Sequence, residues 1–164
     1  MKILLIGMPL SGKTTVGALL ASRLDYYFYD SDALIRSRFG SIKEAFKDGE
    51  ESFRTIENEV IEGLLQKENV VVASGGGLIT TVRGINNIKK FDCVIYLYAD
   101  EKELAKRYVF DGKRPLLKDV SDIKRLLKAR AETYASLATF TLSTIGVSPK
   151  KVAKAAGSII QSLQ

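Results

Sequence analysis

The chain alternates short apolar runs with longer segments in which apolar residues recur every three or four positions. The runs at residues 3–6, Val70–Ala73 and Cys93–Tyr98 predict strands that are buried on both faces, as strands of a parallel sheet are. Residues 27–29 and 140–142 predict two further, shorter strands.

Helical periodicity fills the segments between these runs. A capping box of Ser41 and Glu44 predicts the start of a short helix, and Ser148 followed by Pro149 predicts the start of the last one. The other predicted helices cover residues 13–24, 50–66, 100–108 and 122–137, and one more begins at residue 33. Strands that alternate with helices predict an α/β domain with a parallel sheet, and ligands of such sheets bind beyond the carboxyl ends of the strands.

Residues 7–14, Gly-Met-Pro-Leu-Ser-Gly-Lys-Thr, match the phosphate-loop pattern G-x-x-x-x-G-K-[ST] at every fixed position. They lie between a predicted buried strand and a predicted helix, which is the context that the motif requires. Backbone N–H groups of such a loop, together with the positive end of the helix, bind phosphate oxygens. Lys13 can reach the β- and γ-phosphates, and the Thr14 hydroxyl can bind Mg²⁺. The segment therefore predicts an ATP site.

Two carboxylates, Asp30 and Asp32, follow the second predicted strand. Near a nucleotide at the edge of the sheet, they suit a water-mediated Mg²⁺ ligand and a group that takes the proton of a hydroxyl acceptor. Capping of the helix that begins at Ala33 is the structural alternative, and the two roles can coexist.

Gly75, Gly76 and Gly77 end the third predicted strand. A tight turn needs only one glycine, so three in a row predict that a ligand approaches the backbone closely.

Length and composition indicate one globular domain that works without histidine. The 164 residues fit a single domain, and no apolar run approaches the ~20 residues of a membrane-spanning helix, so we expect cytoplasmic residence. Because histidine is absent, proton transfer falls to a carboxylate, a tyrosine, a lysine or water, and zinc chemistry is excluded. Cys93 is the single cysteine, which rules out an internal disulfide and predicts a small buried residue.

The net charge of +6 is concentrated between Lys102 and Arg130, where ten lysines and arginines accompany four acidic residues. Such a segment suggests an anionic partner, although a solvated helix face gives the same count. Nucleic acid is a third alternative, but the interleaved aromatic residues of single-strand binders are absent from the sequence.

Taken together, the motifs resemble those of the shikimate kinases, in order and at matching spacing. They are residues 7–14, Asp30-Ser31-Asp32, residues 53–57 (Phe-Arg-Thr-Ile-Glu), Gly75-Gly76-Gly77, residues 114–117 (Arg-Pro-Leu-Leu), and Arg130 followed by Tyr134. Each motif alone is weak, but the set, which runs from residue 2 to about residue 134, is specific.

The resemblance implies the P-loop kinase fold of nucleoside monophosphate kinases, in which a five-stranded parallel sheet flanked by helices gives three layers. It implies one domain over residues 1–164, a mobile lid at about 109–121 and a substrate-binding helical region at about 31–62. The implied reaction moves the γ-phosphoryl group of ATP to the 3-hydroxyl of shikimate, with Mg²⁺ as cofactor, in aromatic amino acid biosynthesis. ATP and shikimate are the expected partners, without nucleic acid or membrane, and we expect a monomer.

Carried over residue by residue, the resemblance implies overlapping sets of site residues. The catalytic candidates are Lys13, Asp32, which matches the carboxylate that holds the shikimate hydroxyls, and Arg114, which matches the lid arginine that reaches the phosphates. The Mg²⁺ candidates are Thr14 and, through water, Asp30. The ATP-binding candidates are Gly7, Leu10, Ser11, Gly12, Lys13, Thr14, Thr15, Arg107, which matches an arginine near adenine, and Arg114. The shikimate-binding candidates are Asp32, Arg54, Gly75, Gly76, Gly77 and Arg130, of which Arg54 and Arg130 form a clamp for the carboxylate.

Leu10 departs from the family's pattern, because the family usually has a glycine or another small residue at this position. Residues there often need a positive φ, so we expect a leucine to be strained. Two alternatives stay open. The chain can be another small-metabolite kinase of similar build, such as a gluconate or nucleotide kinase. It can also be a catalytically silent relative, although such a protein is expected to have lost Asp32 or the lid arginine.

Overall fold

The computed structural model describes residues 1–109 and 115–163. Within these residues, five parallel strands form one sheet in the order β2-β3-β1-β4-β5. The strands are β1 (Lys2–Ile6), β2 (Tyr27–Asp30), β3 (Val70–Ala73), β4 (Cys93–Tyr98) and β5 (Phe140–Ser143). The helices are α1 (Lys13–Leu24), α2 (Ser31–Phe39), α3 (Ile42–Ala45), α4 (Glu50–Leu64), α5 (Val82–Ile88), α6 (Glu101–Arg107), α7 (Ser121–Leu137) and α8 (Pro149–Ser162).

Alternate residues of the central strand β1 face two different apolar clusters. Leu4 and Ile6 belong to a first apolar cluster, which α4 and α7 cover, whereas Ile3 and Leu5 belong to a second one, which α1 and α8 cover. Because successive side chains of a strand point to opposite faces, a sheet that is apolar on both faces needs a helical layer on each side. The predicted three-layer arrangement of a five-stranded parallel sheet and flanking helices is therefore confirmed.

The strand register brings the predicted motifs to one edge of the sheet. Asp30 of β2 and Leu5 of β1 both pair with Ala73 of β3, so these three residues lie in one row. Gly7 comes two residues after Leu5, and Gly75 comes two residues after Ala73. The phosphate loop, the acidic turn and the triple glycine consequently emerge side by side, beyond the carboxyl ends of the strands.

Helix α5 was not predicted from the sequence. It is short, contains a glycine and two asparagines, and begins where the Thr81 hydroxyl accepts a hydrogen bond from the Gly84 N–H at 3.0 Å. The predicted helix at residues 50–66 ends two residues earlier, at Leu64. Cys93 is buried in the second apolar cluster, as expected.

The predicted lid, about 109–121, lies partly outside the described residues, and Arg114 lies outside them altogether. Among the described residues, no helix has both the length and the apolar character needed to cross a membrane.

Candidate active site

A cavity of about 410 Å³ lies beyond the carboxyl ends of β1, β2 and β3, within the usual size range of a small-molecule site. Most of the predicted site residues line it: Leu10, Gly12, Lys13, Thr14, Thr15, Asp30, Asp32, Arg54, Gly75, Gly76, Gly77 and Arg130. The predicted residues Gly7, Ser11 and Arg107 do not line it. The structure thus brings together residues that lie more than one hundred positions apart in the sequence.

The phosphate loop holds the ammonium group of Lys13 against its own backbone. Lys13 Nζ donates hydrogen bonds to the carbonyl oxygens of Gly7, at 2.9 Å, and Met8, at 2.7 Å. Helix α1 begins directly after Gly12, whose φ of 94° is one that glycine adopts more readily than other residues. The positive charge of Lys13 and the positive end of α1 therefore meet at the concave side of the loop, which suits a phosphate group.

Leu10 has a φ of 70°, so the expected strained conformation is confirmed. Its carbonyl oxygen accepts a hydrogen bond from Arg107 Nη1 at 3.1 Å, and the same nitrogen donates to Thr144 Oγ1 at 3.1 Å. Arg107 is also ion-paired with Glu103 of its own helix. Arg107 thus connects α6, the phosphate loop and the segment after β5, whereas its predicted contact with adenine stays a prediction.

Asp30 uses its two carboxylate oxygens for different tasks. One oxygen accepts from the Ala33 N–H at 2.9 Å and so caps α2, while the other accepts from the Thr14 hydroxyl at 2.5 Å. The capping alternative is therefore correct, and it leaves a carboxylate beside the hydroxyl of the phosphate loop. Such a pair of oxygen donors fits Mg²⁺, which prefers hard oxygen ligands and keeps several waters.

Asp32 lies on the first turn of α2 and faces the same cavity. Burial raises the pKa of its carboxyl group, and the negative charge of Asp30 raises it further, while Lys13 and two arginines oppose the shift. A raised pKa brings a carboxylate closer to the range in which a general base works at neutral pH.

Arg54 and Glu57 form a buried ion pair at the opposite wall of the cavity. Arg54 Nη1 donates to Glu57 Oε2 at 2.8 Å, and Arg54 Nη2 donates to the half-exposed Glu50 Oε1 at 3.2 Å. Burial raises the pKa of Glu57, and the Arg54 charge opposes this shift. Within the described part of the chain, Arg54 Nε and Glu57 Oε1 have no hydrogen-bond partner although both atoms are buried. The pair is therefore short of polar partners on both sides.

Arg130 of α7 is the second buried arginine in this wall, with 6% of its surface exposed against 7% for Arg54. Within residues 1–109 and 115–163, no carboxylate forms an ion pair with Arg130. Its guanidinium lies beside the Tyr134 hydroxyl, whose pKa burial raises. Arg130 acts electrostatically on Glu57 and adds a second buried positive charge to this wall, which suits an anionic group.

Two of the three consecutive glycines make room for the charged residues of this wall. A Cβ atom on Gly75 would lie 2.3 Å from Glu57 Oε1 and 3.0 Å from Asp32 Oδ1, and one on Gly77 would lie 2.2 Å from Arg54 Cζ. The predicted close approach to the backbone is present, but protein side chains make it. Contact of these glycines with a ligand stays a prediction.

Gly76 faces the other half of the cavity. A Cβ atom there would lie 2.9 Å from Pro9 Cδ and 3.4 Å from the Gly7 carbonyl oxygen, both in the phosphate loop. The Gly76 carbonyl accepts a hydrogen bond from the Tyr134 hydroxyl. The middle glycine therefore links the phosphate loop to α7.

Two charged residues of the cavity were not among the predicted site residues, namely Arg36 and Glu57. Each lies one helical turn after a predicted one, Arg36 four positions after Asp32 and Glu57 three positions after Arg54. Helical spacing was the signal that could have found them.

This parallel sheet, with a phosphate loop after its central strand and a carboxylate across the cleft, defines a P-loop phosphotransferase. The chain belongs to the shikimate kinase family, because the family model described as "Shikimate kinase" matches residues 9–163. The resemblance inferred from the motifs is thereby confirmed.

Individual relatives agree with this assignment. The chain is 42% identical over 148 residues to the shikimate kinase of Clostridium botulinum, an alignment that covers 87% of each protein. The structure of the Acinetobacter baumannii shikimate kinase in complex with shikimate is similar to this fold with a TM-score of 0.93 and 32% identity. That comparison covers 100% of this chain and 95% of the other. A gluconokinase from Sinorhizobium meliloti shares the fold, with a TM-score of 0.66 over 99% of this chain and 92% of the other, at only 18% identity.

Proposed function

We propose that this protein transfers the γ-phosphoryl group of ATP to the 3-hydroxyl of shikimate, which yields shikimate 3-phosphate and ADP. The main support for shikimate as the acceptor comes from Arg54 and Arg130, two buried arginines that line one cavity together with Asp32. Shikimate offers one carboxylate and three ring hydroxyls. Guanidinium groups bind a carboxylate through paired, charge-assisted hydrogen bonds, and a carboxylate such as Asp32 accepts hydrogen bonds from hydroxyls.

The carboxylate of the acceptor would supply hydrogen-bond acceptors that this wall lacks among the described residues. Arg130 has no ion pair within the described residues, and Arg54 Nε has no hydrogen-bond partner there. A bound carboxylate supplies both a negative charge and acceptor oxygens. A neutral acceptor leaves this cost unrelieved, so the wall favours an anionic acceptor over a neutral sugar.

The opposite half of the cavity is proposed to bind the phosphates of ATP. The transition state of phosphoryl transfer is loose and carries its charge on the phosphoryl oxygens, so the protein contributes positioning and charge neutralisation. Lys13 and the backbone N–H groups at the start of α1 provide this neutralisation. We also assign Arg114 to it on the family resemblance, since that residue lies outside the described part of the chain.

The donor set of Thr14 and Asp30 fits the Mg²⁺ that accompanies ATP. The Thr14 hydroxyl is proposed to bind the ion directly, and Asp30 through water. When bound, the ion neutralises phosphate charge. The hydrogen bond between Thr14 and Asp30 supports this proposal, because it holds the two oxygens side by side.

Asp32 is proposed to hold the 3-hydroxyl of shikimate and to accept its proton as the oxygen attacks the γ-phosphorus. A new O–P bond then forms at the acceptor while the bond between the γ-phosphorus and the bridging oxygen of ADP breaks. The raised pKa of Asp32 suits a group that must hold a proton briefly and return it to solvent.

The test is ADP release with shikimate, quinate, gluconate and AMP offered in parallel, each with and without Mg²⁺. We expect turnover with shikimate and Mg²⁺, little with quinate, and background rates with gluconate and AMP. Turnover with gluconate or AMP but not with shikimate would overturn the acceptor and leave the kinase class in place. A monomeric state, cytoplasmic residence and the absence of nucleic acid or membrane partners stay predictions.

A further inference from the structure

We propose that Leu10 selects the acceptor of the phosphoryl group against water: its side chain forms, with Pro115 and Leu116, an apolar wall of the cleft that keeps water from the γ-phosphorus. This inference rests on the proposed kinase function and assigns to Leu10 a role beyond nucleotide contact.

The backbone conformation of Leu10 is the first reason to expect a function for its side chain. Within the described residues, three non-glycine residues have a positive φ, namely Leu10, Asp25 and Asn69. Aspartate and asparagine tolerate this conformation, because their short polar side chains hydrogen-bond locally. Leucine gains nothing of the kind. Backbone strain of this sort persists where the surrounding structure enforces it, and it concentrates at functional sites.

The hydrogen bond from Arg107 Nη1 to the Leu10 carbonyl is one contact that holds the loop in this conformation. Arg107 is itself fixed by Glu103 on its own helix and by Thr144 after β5. The direction in which the Leu10 side chain leaves the loop is therefore set by α6 and by the segment after β5.

The position of the Leu10 side chain is the second reason. It is half-buried, packs against the first apolar cluster, and lines the cleft. Pro115, Leu116 and Leu117 line the same cleft, and Leu117 belongs to that cluster. One wall of the cleft is thus apolar, and it is built from the phosphate loop and the segment that precedes α7.

The reacting groups of the proposed reaction give this apolar wall nothing to bind. A polyphosphate and a polyhydroxylated acid require hydrogen-bond donors and acceptors, which the opposite walls provide through Lys13, Asp32, Arg54 and Arg130. An apolar surface beside a reactive phosphoryl group does have one chemical use, which is to exclude water.

Water is the natural competitor of the acceptor hydroxyl. If a water oxygen attacks the γ-phosphorus, a new O–P bond forms, the bond to the bridging oxygen of ADP breaks, and the water proton is lost to solvent. The products are ADP and inorganic phosphate. If the apolar wall is opened by a substitution, we therefore expect ATP to be hydrolysed without formation of a phosphorylated acceptor.

The experiment compares ATP hydrolysis without any acceptor in the wild-type protein and in three variants, Leu10→Gly, Leu10→Ala and Leu116→Ala. The ratio of ADP to phosphorylated shikimate is measured at saturating shikimate. We expect hydrolysis without acceptor to rise by about fivefold or more in each variant, the change that ~1 kcal/mol of barrier produces, and the ratio of ADP to phosphorylated shikimate to rise further above one. Leu127→Ala is the matched control, because Leu127 packs against the same cluster without lining the cleft. It should leave both quantities unchanged, and thermal unfolding shows that each protein is folded.

Wild-type rates of ATP hydrolysis in both Leu10→Gly and Leu116→Ala would overturn the proposal. An equal rise in Leu127→Ala would overturn it as well, because the effect would then come from general loosening of the cluster. The hydrolysis measurement needs no shikimate. If the wild-type protein fails to phosphorylate shikimate, the proposed acceptor fails, while the role of the apolar wall is still decided by hydrolysis.

Discussion

In the phosphate loop, the Lys13 ammonium group donates to two carbonyl oxygens of the same loop. Both of these hydrogen bonds lie within eight consecutive residues. The acceptor half of the cavity is the part lined by Asp32, Arg54 and Arg130, and its charged groups come from three different helices. In the acceptor half, Arg54 and Glu57 each leave a buried polar atom without a partner, and Arg130 has no ion pair among the described residues.

The two parts of the site should therefore use binding energy differently. The phosphate loop is organised mainly by hydrogen bonds within the loop, together with one contact from Arg107. The acceptor half carries two buried arginines, of which Arg54 is ion-paired and still has an unpartnered nitrogen among the described residues, so acceptor binding should depend steeply on each charged residue. A substitution in one half should therefore leave the substrate affinity of the other half nearly unchanged.

The largest effect is expected from Lys13→Ala. The variant loses the cation that neutralises the transferred phosphoryl group, so kcat should fall by about 10²-fold or more. Lys150→Ala, at an exposed position of α8, is the control and should behave as the wild type. Steady-state kinetics and thermal unfolding measure activity and folding. A folded Lys13→Ala protein that keeps more than about a tenth of kcat would contradict the role of Lys13.

Asp32→Asn comes next, because an amide keeps the shape of the carboxylate and loses its charge. We expect kcat to fall by about 10²-fold and the KM for shikimate to rise. Since burial raises the pKa of Asp32, wild-type kcat/KM should decline as the pH falls through that raised pKa, where the base becomes protonated. This acidic limb should vanish in Asp32→Asn and persist in the control Asp48→Asn. A change confined to the KM for ATP would instead place Asp32 on the metal side.

The substitutions Gly76→Ala and Gly77→Ala should affect the two substrates separately. A Cβ on Gly77 displaces the Arg54 guanidinium, so the KM for shikimate should rise by about tenfold while the KM for ATP hardly changes. A Cβ on Gly76 presses on Pro9, so the KM for ATP should change more than that for shikimate. Initial rates with each substrate varied in turn measure both. The same response of the two variants would show that the halves are not separate.

The smallest effect concerns the strain at Leu10 and is a change in stability. Leu10→Gly relieves a strain of about 1–2 kcal/mol and loses packing and chain entropy of similar size, so the free energy of unfolding should stay level or rise. Leu10→Ala loses the packing without relieving the strain. The Leu10→Gly variant should therefore be more stable than the Leu10→Ala variant, by about 1 kcal/mol in denaturant unfolding. This is the reverse of the usual order of glycine and alanine. A loss of more than about 1 kcal/mol in Leu10→Gly would mean that packing outweighs strain.

The same contrast explains how much could be predicted from the sequence. The phosphate loop is a contiguous motif, and the strands are contiguous apolar runs, so both were predicted to within a residue or two. Helix α5 was missed because it is short and depends on a cap at Thr81. The left-handed conformation of Leu10 was predicted only by comparison with the family's pattern.

The acceptor half could not be assembled from the sequence by physical argument alone. Arg54 and Arg130 lie on α4 and α7, and only the family resemblance indicated that they face one cavity. The neighbours that require glycine at positions 75 and 77 are side chains of α2 and α4, brought there by the fold. Glu57 is a missed partner of Arg54 that helical spacing alone could have indicated.

The most direct test of the carboxylate clamp is shikimate binding by Arg54→Lys, Arg130→Lys and the double variant, measured by titration calorimetry. Lysine keeps the charge and loses the planar fork, so each single variant should weaken shikimate binding by ~10-fold, or ~1.4 kcal/mol. The double variant should be less than additive, because both arginines bind one carboxylate. ATP affinity without shikimate, and the exposed control Arg125→Lys, should not change. Normal shikimate binding by both single variants would contradict the assignment of the acceptor half.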